Sequence, residues 1–148
     1  MQAYGDAKRA LKTEAYLRGA VRCRGLCSGD LEKRVRELST KPEVARLLQG
    51  GPAAAWSLCG ELLRSSFLED KETGIRLLGA SLKGRCGRCS GKKVSALAAR
   101  LRGFAGAFDA GVNTWAVCDS FCSRVVKVWL EQTQQVWLLV PGRLAHRG

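Results

Sequence analysis

The chain has 148 residues, of which 46% are hydrophobic and 26% are charged, a balance typical of one soluble globular domain and unlike that of a disordered or fibrous protein. No apolar run reaches the roughly 20 residues of a membrane-spanning helix, and the N-terminal "MQAYGDAKRALKTEAYLRG" has charges where a secretory signal has its apolar stretch. We therefore expect a single domain over residues 1–148 that stays inside the cell, in the nucleus or in the nucleoid and cytoplasm.

The charge balance is strongly positive. Lys and Arg number 25 against 13 Asp and Glu, which gives a net charge of +12. Such an excess favours a polyanionic partner, with nucleic acid ahead of acidic membrane lipid; the alternative is a surface that is charged only for solubility. The seven cysteines are an odd number, and inside a cell we expect them to be reduced, with most of them buried.

Helical signals dominate the chain, and strand signals are scarce. Pro42 predicts the start of a helix that ends at Gly50, and Pro52 opens the next helix, "PAAAWSLCGELLRSSF". A further helix begins near Asp70, and the glycine-rich, basic segment 84–93 is predicted to be a loop before the amphipathic "KKVSALAARLRGFAGAF". We predict about six or seven helices with short connections, an all-α arrangement.

A metal site is not expected. "CGRC" (86–89) has the spacing of half a zinc site, but no other cysteine pair shares this spacing, and the one histidine, His146, lies near the end of the sequence.

Two segments echo each other. "WSLCGELL" (56–63) and "WAVCDSFC" (115–122) share Trp, an aliphatic residue two positions on, Cys at the fourth position and an apolar residue at the seventh. Stacked helix pairs of an α-solenoid produce such echoes, because each pair needs a neighbour to bury its apolar face; chance similarity between two amphipathic helices is the alternative. Gly60 occupies the position that Asp119 has in the second copy, so packing alone does not require the aspartate.

The second copy lies in "NTWAVCDSFCSR" (113–124), where Asn113 or Thr114 is a suitable N-cap for a helix from about Trp115 to Glu131. At about 100° per residue, Trp115 lies at the margin of the core face, and Asp119, one turn later, begins the polar flank. The residues predicted to form the core face are Val117, Cys118, Phe121, Cys122, Val125, Val128 and Trp129.

Two interpretations of Asp119 and Trp115 remain open at this point. Asp119 either pairs with an arginine of a neighbouring helix, or faces a groove as a free carboxylate with the indole beside it as a platform for a sugar or base. Trp115 by itself is compatible with ordinary packing at the core margin.

The same residues carry a resemblance. "NTWAVCDSFCS", with Trp and Asp four residues apart after an Asn or Thr start, resembles the active-site helix of the AlkD-like DNA alkylation repair glycosylases, a family built from HEAT-like repeats. "AAAWSLCGELLRSSFLEDKETGIRLL" (53–78) resembles the preceding helix pair. The resemblance covers about residues 50–130 and implies an α-solenoid of HEAT-like antiparallel helix pairs, acting as a monomer.

The resemblance also implies a function. The substrate is double-stranded DNA with alkylated bases, and the reaction is excision of cationic purines without a cofactor or metal. Asp119 is then the catalytic carboxylate that stabilises the developing sugar cation, and Trp115 stacks on the lesion or its sugar. The residues expected to hold DNA phosphates are Lys92, Lys93, Arg100, Arg124 and Lys127.

The C-terminal end departs from the family pattern. The family continues through further helix pairs that supply another active-site tryptophan, whereas this chain has "EQTQQVWLLVPGRLAHRG", a tail from about residue 132 on. We expect a truncated or alternatively ended member, whose activity depends on whether the missing part is needed. The alternative functions are a non-catalytic helical-repeat module that binds nucleic acid and a scaffold for a protein partner.

Overall fold

The computed structural model describes residues 5–50, 52–83 and 93–131. In these ranges the secondary structure consists of helices and one isolated parallel bridge between Arg22 and Phe67, which confirms the all-α prediction. The helices are α1 (Ala7–Tyr16), α2 (Ser28–Ser39), α3 (Pro42–Gln49), α4 (Pro52–Leu63), α5 (Leu68–Lys83), α6 (Lys93–Ala110) and α7 (Trp115–Phe121), with a π-helical turn at Cys122–Val126.

Helix boundaries follow the local punctuation of the sequence. Helix α3 has Pro42 in its first turn and ends at Gly50, because proline has no N–H to lose there and its fixed φ suits a helix start. Helix α4 begins at Pro52, and α5 begins two residues before Asp70. Acidic residues in the first turn of α5 and Lys83 in its last turn place negative charge at the positive end of the helix dipole and positive charge at its negative end, and both interactions are favourable.

The core is formed by α4, α5, α6 and the helix that starts at Trp115. A short connection at 64–67 returns α5 alongside α4 as an antiparallel neighbour, and α7 packs on α5. Burial of each large apolar side chain stabilises the fold by about 1.5–3 kcal/mol. The packing of these side chains therefore fixes the position of α7. The largest fully buried side chains are Phe121, Leu63, Ile75, Leu78, Val117, Val125 and Cys59.

The helix that starts at Trp115 runs through the π-helical turn and on to Glu131, the last residue described in this range. In the π turn the backbone N–H of Lys127 donates to the carbonyl of Cys122. Helix α5 approaches this turn at Gly79, where an added Cβ atom would lie 2.7 Å from the carbonyl oxygen of Arg124. Glycine therefore sets the close distance between α5 and the helix that carries Asp119.

The acidic start of α5 holds the connection between α1 and α2. The carboxylate of Glu69, which is buried, accepts hydrogen bonds from the backbone N–H groups of Arg24, Gly25 and Leu26 at 2.8, 2.9 and 3.3 Å. Both terminal nitrogens of the Arg24 guanidinium donate hydrogen bonds to the carboxylate of Asp70, at 3.1 and 2.9 Å. These charge-assisted bonds place the segment that follows α1 against the centre of the molecule.

Candidate functional site

The turn between α6 and α7 is built for a close approach to α4. Gly111 has φ +151°, a backbone conformation that residues with a side chain rarely adopt. A Cβ atom there would also overlap the carbonyl of Leu63, so both the backbone conformation and the close contact require glycine. The buried side chain of Thr114 then accepts a hydrogen bond from the backbone N–H of Val117 at 3.2 Å. Thr114 is therefore the N-cap, one of the two residues that the sequence offered, and it fixes where Trp115 begins the helix.

A buried lysine ties the same turn to the rest of the fold. The amine of Lys71, which is 3% exposed, donates to the carbonyl oxygen of Leu63 at the end of α4 and to that of Gly111 at 3.0 Å. Burial lowers the pKa of this amine, because a low-dielectric environment disfavours the charged form. The start of α7 is thus held by a contact that joins α4, α5 and the α6–α7 turn.

Asp119 is exposed, one helical turn after Trp115. Its carboxylate makes no hydrogen bond or ion pair with any residue that the structure describes. Nearby, the hydroxyl of Ser120 donates to Glu72 at 2.9 Å, and Glu72 lies 3.6 Å from Arg76. Arg76 of the adjacent helix therefore pairs with Glu32 at 3.1 Å and lies beside Glu72, and the interpretation of Asp119 as its partner has no support in the described residues.

Trp115 is 59% exposed, and its ring meets the ring of Tyr16 edge to face, with centroids 5.5 Å apart and an interplanar angle of 88°. Tyr16 is the last residue of α1 and is itself 70% exposed. This pair could not be predicted from the sequence, since Tyr16 lies far from Trp115 in the chain and has no motif around it. The fold thus places a second aromatic side chain beside Trp115.

The tryptophan of the first copy has a different environment. Trp56 is half-buried, with its ring 5.6 Å from that of Phe104 and 6.4 Å from that of Phe121. An added Cβ atom at Gly103 would lie 2.8 Å from the Trp56 ring. Trp56 is thus a packing residue, whereas its counterpart Trp115 presents most of its surface to solvent.

The prediction that Cys122 belongs to the core face is wrong. Cys122 is exposed, because it lies seven positions after Trp115 and so shares the exposed edge of the helix. Its pKa is raised by partial burial, then by the neighbouring Cys118 thiol, which is hydrogen-bonded to it, and by the carboxylate of Asp119. The buried residues of the predicted face are Val117, Phe121, Val125 and Val128.

The five basic residues predicted to hold phosphates are spread over different parts of the chain. Lys92 lies outside the described residues, and Lys93 and Arg100 belong to α6, with side chains outside the described part. Arg124 is half-buried in the π turn, and Lys127 is exposed, with its amine 4.0 Å from Glu131. Their contact with DNA stays a prediction.

The described residues show no cluster of three or more metal-ligating side chains; Cys86 and Cys89 of the "CGRC" segment lie outside them. Likewise, none of the helices described is long and apolar enough to cross a membrane.

The fold defines an all-α protein of packed helix pairs. One helix carries an exposed indole and a carboxylate that has no partner in the part of the chain that the structure describes. The family model described as DNA alkylation repair enzyme matches residues 1–140, so the chain belongs to this family. Searches of curated proteins and of solved structures gave no match. The family match extends on both sides beyond the segment 50–130 that carries the resemblance by motif, and it gives the chain an enzymatic role in DNA repair.

Proposed function

We propose that this protein is a DNA N-glycosylase that excises alkylated, cationic purines from double-stranded DNA, with Asp119 as its catalytic carboxylate. The observation that carries the proposal is the carboxylate of Asp119, exposed and unpaired among the described residues, one helical turn from the exposed indole of Trp115. Side chains at this spacing have Cβ atoms about 5–6 Å apart, so one deoxynucleotide can touch both. Membership of the repair family supports the same proposal.

The chemistry needs little more than a fixed negative charge. Alkylation of a ring nitrogen makes the purine cationic, so the bond between C1′ and the base nitrogen breaks with its electron pair going to the base, which leaves neutral. Positive charge then grows on the deoxyribose. A carboxylate about 4 Å away stabilises it by about 4 kcal/mol at an effective dielectric constant of about 20, roughly a thousandfold in rate.

Water completes the reaction by adding to C1′, and Asp119 orients this water and takes up its proton. The indole of Trp115 supplies a face for the sugar or the cationic base, a contact worth about 1–3 kcal/mol per stacked base, and excludes bulk water from one side. The ring of Tyr16 packs edge to face on that indole and adds a second aromatic side chain to this part of the site.

The test measures release of methylated purine from alkylated duplex DNA by the purified protein and two variants. Asp119→Asn keeps the size of the side chain and removes the charge, so we expect base release to fall by about a thousandfold. Asp109→Asn, at an exposed carboxylate on α6, is the matched control and keeps full activity. Full activity in Asp119→Asn contradicts the proposed mechanism.

A second function has its own supporting observation, the net charge of +12. A non-catalytic module that binds nucleic acid through its basic surface gives salt-sensitive DNA binding, because phosphate contacts release counterions, but no base release. That combination of results replaces the glycosylase with the binding module. Absence of DNA binding as well leaves the protein-scaffold alternative.

A further inference from the structure

Three connections of the fold converge on one cleft. The segment after α1, the turn after α4 and the turn before α7 enclose a volume of about 360 Å³. Asn113, which lines this cleft, is two residues before Trp115, so the cleft adjoins the start of the helix that carries the candidate site. None of the residues discussed so far as a phosphate contact lines it.

The lining of the cleft has one sign of charge. Arg22, Arg64 and Lys71 contribute positive groups, and Ser66 and Asn113 contribute a hydroxyl and an amide, while no carboxylate is among the described residues that line it. A surface charged only for solubility mixes both signs. Cations together with neutral hydrogen-bond donors are instead the groups that bind phosphate oxygens.

Arg22 is held in place for such a contact. Its backbone N–H donates to the carbonyl of Ser66 at 2.8 Å, and its own carbonyl accepts from the N–H of Leu68 at 2.8 Å. Its guanidinium carbon lies 4.9 Å from the centroid of the Phe67 ring, and it pairs with no carboxylate in the described part of the chain. The neighbouring Arg24, by contrast, is paired with Asp70.

The other two cations complete the set. Arg64 is exposed, and its only carboxylate contact in the described residues is Glu61, three positions earlier in the last turn of α4, at 2.7 Å. Such surface pairs contribute little to stability. The buried amine of Lys71 donates two of its three N–H groups to backbone carbonyls, and Lys71 also lines the cleft.

We propose that this cleft is a phosphate subsite that holds a backbone phosphodiester of the DNA strand next to the nucleotide at Trp115 and Asp119, with Arg22 and Arg64 as its principal contacts. The inference rests on the proposed function for its choice of DNA. Arg22 and Arg64 are exposed at the rim, which suits a phosphate that remains part of a polymer. Because phosphate contacts fix register without reading bases, the subsite positions the strand and does not select the lesion.

The test is the salt dependence of binding to an undamaged duplex of about 20 base pairs. Arg22→Gln and Arg64→Gln are each expected to make the slope of log K against log salt shallower by about 0.9 and to weaken binding at low salt by about tenfold, as for the loss of one charged hydrogen bond. Arg22→Lys keeps the charge and the wild-type slope. Arg36→Gln, at an exposed arginine of α2 that does not line the cleft, is the matched control and also keeps the wild-type slope.

Two results overturn the proposal. One is a slope in Arg22→Gln and Arg64→Gln equal to that of Arg36→Gln, with thermal melting confirming that all three fold. The other is a combination of two observations. Inorganic phosphate raises the melting temperature of the wild-type protein but not that of the variants, and every variant binds DNA as the wild type does; the cleft is then a site for a free anion.

Failure of the phosphate subsite and failure of the glycosylase proposal give different results. Arg22→Gln is expected to need about tenfold more protein for half-maximal base release but to reach the wild-type rate at saturation, because the reacting groups are intact. Asp119→Asn is expected to lose base release with the wild-type salt slope. A shallower slope in the arginine variants of a protein that releases no base retains the subsite and rejects the glycosylase.

Discussion

Replacing Trp115 and Trp56 by alanine, one at a time, separates a site residue from a packing residue at equivalent positions of the two similar helices. Trp56 is half-buried against Phe104, Phe121 and Gly103, whereas Trp115 is 59% exposed. Truncation of a tryptophan in a core costs about 3–5 kcal/mol of stability. We therefore expect Trp56→Ala to lower the free energy of unfolding by about 3–5 kcal/mol.

Trp115→Ala has a smaller expected cost. Since Trp115 is 59% exposed, less than half of its side chain is covered, and the space it leaves opens to solvent. Scaling the core value by the covered fraction gives about 1–2 kcal/mol, including the loss of the Tyr16 contact. The effects on base release are expected in the reverse order. Trp115→Ala lowers the rate about tenfold, which is about 1.4 kcal/mol of transition-state stabilisation. Trp56→Ala keeps the wild-type rate per folded molecule.

Urea denaturation gives the free energies of unfolding, and single-turnover base release from alkylated DNA gives the rates. If Trp115→Ala loses as much stability as Trp56→Ala and base release is unchanged, Trp115 is a packing residue like its counterpart and not a site residue.

Two further predictions concern stability. Lys71→Met leaves the carbonyls of Leu63 and Gly111 without their donor, so urea denaturation is expected to show a loss of about 2–4 kcal/mol, whereas the exposed Lys33→Met stays within about 0.5 kcal/mol of wild type; equal stability of the two variants contradicts the role of the buried amine. Burial raises the pKa of the Cys59 thiol from 9.0 to about 12, so the unfolded chain loses this proton first, and the stability that is fully present below pH 9.0 declines as pH rises toward 12. The advantage of wild type over Cys59→Ala should therefore shrink by about 1.4 kcal/mol between about pH 8 and about pH 10, and a constant difference argues against the raised pKa.

Local signals in the sequence located several helix boundaries. Pro42, Gly50 and Pro52 act through their own backbone geometry, and Thr114 caps α7 through a bond to a residue three positions on. The placement of Trp115 and Asp119 at the edge of the core follows from helical periodicity alone. These features need only neighbours within about one helical turn, which is why they can be predicted from one sequence.

Other features depend on which distant segments meet. The pairing of Arg76 with Glu32 at 3.1 Å follows from the packing of α5 against α2, and the absence of a partner for Asp119 among the described residues follows from the packing of α5 against α7. The contact of Tyr16 with Trp115 requires the path of the chain after α1, which Glu69 fixes from α5. No periodicity or motif encodes these long-range contacts, so only the fold could reveal them.

Helix α1 differs from the other walls of the site in the way it is attached. It buries none of its residues, and apart from the ring contact of Tyr16 with Trp115 its links to the described parts of the chain include polar ones, such as the hydrogen bond from the backbone N–H of Cys23 to Glu14 at 2.6 Å and that from the backbone N–H of Asp6 to the carbonyl of Gly25 at 3.3 Å. Local opening of such an element exposes little apolar surface and needs far less free energy than global unfolding. Amide exchange is accordingly expected to be faster in α1 than in α7. A change in the distance of Tyr16 from Trp115 would leave the core intact, so the aromatic pair has one side fixed by the core and one side that can move.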